Sequence, residues 1–242
     1  MSLTYWDLSL WGIGFLVSVL LTSVMVIRKR YLVFPWFTAL LISEIAQTLL
    51  LFVLYWFTNH TVYFYAYWVL DIADGVLSLC VIWELASKIS KALQFAKVNA
   101  SRDLQNALCL LMPFTAAAIW YLVPETRNAV QAIAVKVSLV SSILIGGLSC
   151  VLFLSFFFYG LRLRMHAATI TLGMVAMFIP KFLMHLAVFG TGIHWWSGLE
   201  RDLKPINIVC FLVWCVSLWL EEPATPVNDP LVIFLQAQGN PP

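Results

Sequence analysis

The sequence predicts an all-α polytopic membrane protein: a bundle of seven transmembrane helices with the N-terminus outside and the C-terminus cytoplasmic. Three observations carry that expectation. The first is composition. Of 242 residues, 62% are hydrophobic and only 11% are charged, against roughly 45–50% and about 25% in soluble domains. A water-soluble fold of this size cannot cover so much apolar surface. The second is length. Apolar windows recur along the chain that reach the ~20 residues needed to cross ~30 Å of hydrocarbon. The third is the spread of cations, which favours alternate connections between those windows.

Span one is expected over residues 8–27 and is closed by Arg28-Lys29-Arg30. The N-terminus has Asp7 and no basic residue before the apolar run, so it reads as an uncleaved first span. Span two covers residues 35–57 and holds Glu44. Thr58-Asn59-His60-Thr61 is a tight connection to span three, residues 63–87. Residues 88–103 mix Lys88, Lys91, Lys97 and Arg102 with Ile89, Leu93 and Phe95. That pattern suits a cytoplasmic extension lying on the membrane surface. Span four follows at 104–123, then the turn Pro124–Asn128. Span five covers 130–159, with Lys136. A short link carries Arg162 and Arg164. Span six covers 167–189, with Pro180, Lys181 and His185. Residues 190–204 form the longest outer loop, and span seven runs over 205–220. Residues 1–220 are thus one transmembrane domain, and 221–242 a cytoplasmic tail, proline-rich and without Lys or Arg, expected to be extended or disordered.

With the N-terminus outside, the inner connections carry nine cations and the outer ones three, Arg127, Arg201 and Lys204. The positive-inside rule then selects this orientation. It also puts Tyr63, Tyr65, Tyr67, Trp68, Trp195 and Trp196 in the outer aromatic belt.

Span three organises the rest, because it carries Asp71, Asp74 and Glu84 at membrane depth, where charge is costly. At 1.5 Å per residue, Asp71 lies about 12 Å below the outer end of its span, and Asp74 one turn deeper. Lys136 lies about 9 Å below the outer end of span five, and Lys181 about 12 Å below that of span six, with His185 one turn above it. Two acids, two lysines and a histidine therefore share an outer-half layer on three helices. Asp71 and Asp74, three apart, can share a face. A lysine that reaches them cancels their charge; without one, two adjacent ionised acids are unfavourable. The functional reading is a polar pocket for a ligand, ion or proton. The plain alternative is an ion-pair network that fixes helix packing.

Glu84 has Lys88 at i+4, as a snorkelling interfacial pair would. Glu44 lies in the inner half of span two with Gln47 at i+3, and needs a partner that the sequence does not name. Pro180 frees the Ala176 carbonyl and is expected to kink span six beside Lys181. On span five, Ser138, Ser142, Gly146 and Cys150 recur every fourth residue, a small face for close approach inside the bundle or between protomers.

Several classes are disfavoured. The cysteines, Cys80, Cys109, Cys150, Cys210 and Cys215, form no CxxC pair, which argues against a zinc ribbon or disulfide framework. Span seven lacks the mid-span lysine that retinal attachment needs. No HxxxH or HExxH occurs, and only His185 with Asp71 and Asp74 could begin a metal site. No phosphate loop or serine elbow occurs, and no basic cluster is dense enough for nucleic acid. No cofactor is expected.

Two stretches, FYAYWVLDIADGVLSLCVIWELASKI (64–89) and FLVWCVSLWL (211–220), resemble a family of uncharacterised bacterial seven-helix membrane proteins. Those share an aromatic cluster opening span three, a Trp-Glu run closing it, and a Trp-Cys run closing span seven. The resemblance implies a bacterial inner membrane and makes Trp83-Glu84 and Trp214-Cys215 structural signatures. It implies no activity. The leading expectation is a non-enzymatic sensor or accessory subunit that binds a small ligand, a membrane protein partner or a second copy, with the tail and the small face of span five as partner surfaces. The alternatives are a proton- or ion-coupled transporter using the charge layer, and an intramembrane lipid-modifying enzyme using His185.

Overall fold

Long apolar stretches with few helix breakers leave the backbone one way to satisfy its own polar groups, and the chain takes it: every described segment of secondary structure is helical. The computed structural model describes residues 5–94, 129–158, 165–191 and 196–221, with 106, 109, 111–113, 115 and 117. The six long helices are α1 (Tyr5–Ile27), α2 (Pro35–Phe57), α3 (His60–Gln94), α4 (Ala129–Phe158), α5 (Met165–Thr191) and α6 (Trp196–Trp219). A single 3-10 turn, Arg30–Leu32, joins α1 to α2. Within predicted span four, the described residues are helical. Among the described residues, three stretches are long and apolar enough to cross a membrane, in α1, α2 and α5; α4 and α6 carry shorter apolar stretches. The charges of α3 interrupt its apolar run.

The helices pack in chain order, each against the next, and α6 returns to pack against α1, so the six close into a ring. Helices α3 and α5 also touch across it. Trp11–Phe52 ties α1 to α2, and Tyr55–Tyr63 ties α2 to α3.

The buried core gathers at one end of the ring. Trp214 of α6 is the largest fully buried side chain. Its indole Nε1 donates to the Thr169 carbonyl of α5 at 2.9 Å, so the ring is buried without an orphan donor. Phe37 of α2 meets it edge-on at 5.0 Å, and Phe211 stacks on it at 5.4 Å. Gly173 of α5 makes room: a Cβ there would lie 2.4 Å from the Trp214 ring. Ser217 donates to Thr169 Oγ1 at 3.1 Å. Thus Trp214-Cys215, both buried, lock α6 to α5 and α2.

The same end holds Glu84. Helix α2 begins on Pro35 with no side-chain cap from Phe34, so its first backbone N–H groups need an acceptor. Glu84 Oε2, from α3, supplies it, accepting from Trp36 N at 3.1 Å and Phe37 N at 3.3 Å. Its Oε1 takes Lys88 at 3.3 Å, and the ammonium sits 3.8 Å over the Phe34 ring. The Glu84–Lys88 pair predicted from spacing therefore forms, but Glu84 is buried and acts as a cap rather than reaching out to an interface. Arg28 and Arg30 close the C-terminus of α6: Arg28 pairs with Glu221 at 3.4 Å and lies 4.5 Å over Trp219, and Arg30 donates to the Leu220 carbonyl. Cations suit a helix C-terminus.

Some boundaries differ from the sequence-based reading. Helix α3 begins at His60, inside the predicted connection, and continues past Ser87 to Gln94. Helix α6 begins at Trp196, nine residues before the predicted start, and runs through Pro205. The charged run Glu200–Lys204 hides a helix from any hydropathy reading, and Pro205 removes one backbone bond without ending it. Helix α5 likewise runs through Pro180 unbroken. Trp68, expected in a lipid-facing belt, is buried. The predicted surface segment beyond Gln94, the turn Pro124–Asn128, the link with Arg162 and Arg164, and the tail from 222 lie outside the described residues.

Candidate functional site

The polar cluster lies between α2, α3 and α5, away from the aromatic core. Lys181 of α5 reaches Asp71 of α3, Nζ to Oδ1 3.4 Å, across the line where α3 and α5 meet. Both side chains are largely covered, 28% and 19% exposed, so solvent screening is weak and losing either partner leaves a covered charge uncompensated. This is the contact that the sequence placed at one depth but could not join.

Asp74, one turn deeper on α3, lies within electrostatic range of Lys181 and Asp71. Its Oδ1 is buried and, among the described residues, has no hydrogen-bond partner. Glu44 of α2 comes within electrostatic range of Asp74 and Lys181. That supplies the partners that sequence spacing did not name. Gln47, the neighbour expected for it, instead donates to Ser43 Oγ at 3.0 Å.

Depth counted from each helix's own end did not show that Glu44 and Lys181 come within range of each other. Glu44 lies about 13 Å from the start of α2, and Lys181 about 15 Å from the end of α5, so both approach the middle of the bundle from opposite sides. Three carboxyl groups and one ammonium then share one layer. Fully ionised, they carry a formal charge of two negatives in a place where uncompensated charge is expensive. One ammonium does not balance three carboxylates. Among the described residues, no three His, Cys, Asp or Glu side chains are placed to hold a metal ion.

Two predicted members lie elsewhere. Lys136 of α4 is exposed, at the mouth of a groove between α3 and α4. It sits outside the Lys181–Asp71 pair because α4 presents it on a different face from Ser142 and Gly146, which are buried. Gly146 meets Phe178 of α5, with room for a Cβ at 3.6 Å. The small-residue face is therefore occupied within the chain at this point. His185 lies on α5 one turn beyond Lys181, and its side chain lies outside the described residues.

What spacing missed altogether is the capping role of Glu84 and the Thr169–Gly173 seat of Trp214. The first had a signal: a helix opening on Phe-Pro with no capping side chain needs an acceptor from somewhere else. The second had none, because a glycine inside an apolar helix does not name the side chain that crosses it. No protein-family model, curated protein or solved structure matches the chain.

Proposed function

We propose that this chain is a multi-pass protein of a bacterial inner membrane with seven spans, N-terminus outside and C-terminus cytoplasmic, and that Glu44, Asp71, Asp74 and Lys181 form a proton-binding site serving proton-coupled transport. One observation carries the reading: Asp74 Oδ1 is buried without a hydrogen-bond partner among the described residues, in a layer where three carboxyl groups share one lysine. A site that takes and releases a proton needs a carboxyl oxygen kept available and a fixed charge beside it. Lys181 supplies that charge, and the proline before it sits where a helix gives most easily. The cation bias of the connections and the likeness of the 64–89 and 211–220 stretches to bacterial seven-helix proteins support the placement and the membrane.

The test is proton flux into proteoliposomes carrying an internal pH dye under an imposed potential. Wild type is expected to exceed empty vesicles, and Asp74→Asn to fall to their level. Flux equal to that of empty vesicles in wild type, or unchanged by Asp74→Asn, defeats the transport reading.

The second reading is a non-enzymatic sensor or accessory subunit. It is favoured by the sealed end of the ring, where Trp214, Glu84 and the Arg28–Glu221 contact leave the helices tightly joined. A site reached from one side only reports protonation or a ligand to a partner. It predicts no flux, and a protein that co-purifies stoichiometrically through a tag at the C-terminus.

A further inference from the structure

Helices α3 and α4 leave a groove of about 300 Å³ between them. Gly75 and Ser141 bring the two backbones together at its floor, close enough that a Cβ on Gly75 would lie 3.2 Å from that of Ser141. Its walls are apolar, from Ile72 and Val76 on α3 to Val140 and Leu144 on α4, and Lys136 stands at one end. Lys136 is exposed, and among the described residues it has no ion-pair partner.

The dimensions identify the occupant. Helix α4 has 30 residues, about 45 Å, so centring it on ~30 Å of hydrocarbon leaves some 7 Å outside at each end. Lys136 then lies about 3 Å inside the hydrocarbon boundary, within easy snorkelling reach of the headgroups. Leu144 lies near the midplane. The groove thus runs from near the headgroup level to the centre of the bilayer, about 12 Å, most of the ~15 Å depth of one leaflet. We infer that it is a binding site for an anionic diacyl phospholipid, with one acyl chain against Gly75 and Ser141 and the phosphate at Lys136. The inference rests on the membrane placement proposed above, and not on the proton site. Charge complementarity selects the headgroup: an unpaired ammonium at this depth favours a net negative lipid over a zwitterionic one, whose choline offsets its own phosphate.

The test reconstitutes the full chain in vesicles of equal phosphatidylglycerol and phosphatidylcholine, extracts it in mild detergent and quantifies the retained lipid by mass spectrometry. Wild type and Lys136→Arg are expected to enrich phosphatidylglycerol severalfold over the vesicle ratio. Lys136→Gln returns the ratio to that of the vesicle, and Val140→Trp, which fills the groove, lowers total retained lipid. Retention at the vesicle ratio in wild type, or enrichment unchanged in Lys136→Gln, overturns the site. So does oleate displacing the phospholipid from vesicles that contain both. Protein that washes off membranes in alkaline carbonate overturns the membrane placement itself, a result separate from the lipid ratio.

Discussion

The two ends of the α2–α3–α5 contact are built on opposite rules. At the Trp214 end, the polar groups that join the helices are paired: the indole has Thr169, Glu84 has two backbone N–H groups and Lys88, and Ser217 has Thr169. In the charged layer, three acids divide one lysine, and Asp74 Oδ1 is left over. Helices α2, α3 and α5 serve both, and α6 joins them at the first through Trp214 and Ser217. Trp68 Nε1 and Ser149 Oγ are also buried without a hydrogen-bond partner among the described residues, so what sets the Asp74 oxygen apart is the charge around it: a second aspartate, a glutamate and one lysine.

The largest effect is expected from Lys181→Met. Removing the one cation leaves three carboxyl groups facing each other, and breaking a covered pair costs about 3 kcal/mol or more. Thermal unfolding in detergent should show a pronounced drop, and Lys181→Met combined with Asp71→Asn should recover most of it. If the double variant is no better than the single, the pair does not govern the layer.

Gly173→Ala comes next, at the packed end. Its new Cβ would meet the Trp214 ring, and overpacking a filled core costs about 1–3 kcal/mol. Trp214→Leu should relieve it in the double variant, a coupling readable by a thermal double-mutant cycle. Glu84→Ala should cost about 1–2 kcal/mol through the lost α2 cap, with no effect on any flux assigned to the charged layer. Glu84→Gln, which keeps an acceptor oxygen, should lose less. Arg28→Gln is the smallest: Glu221 is 84% exposed, and an exposed pair contributes about 0–1 kcal/mol. A large loss on Arg28→Gln would mean that the contact over Trp219 matters more than the ion pair.

The helices were legible in the sequence because apolar length and cation spacing state them directly: α1, α2, α4 and α5 fall within three residues of the predicted spans at both ends. Helix α6 was legible only in its apolar half, since Glu200–Lys204 carry helix without hydropathy. In the charged layer, depth along each helix was readable from the residues, but rotation about its axis was not. Lys136 and Lys181 looked equivalent by depth, and packing sent one to the groove between α3 and α4 and the other to Asp71. Glu44, read in the inner half of its span, had no named partner because a depth counted from one helix end says nothing of how two antiparallel helices slide past each other. The partner surface expected on the small face of α4 is taken up in part by Phe178, which only a three-dimensional arrangement reveals.

The most direct test of the exchangeable proton is pH-difference infrared spectroscopy of the reconstituted protein, compared with Asp74→Asn and Glu44→Gln. The account predicts a protonated-carboxyl carbonyl band that changes with pH in wild type and is lost or shifted in Asp74→Asn, with Glu44→Gln altering the same band because the two acids share a layer. A spectrum in which neither substitution changes any carboxyl band would contradict it, and the cluster would then stand as packing alone.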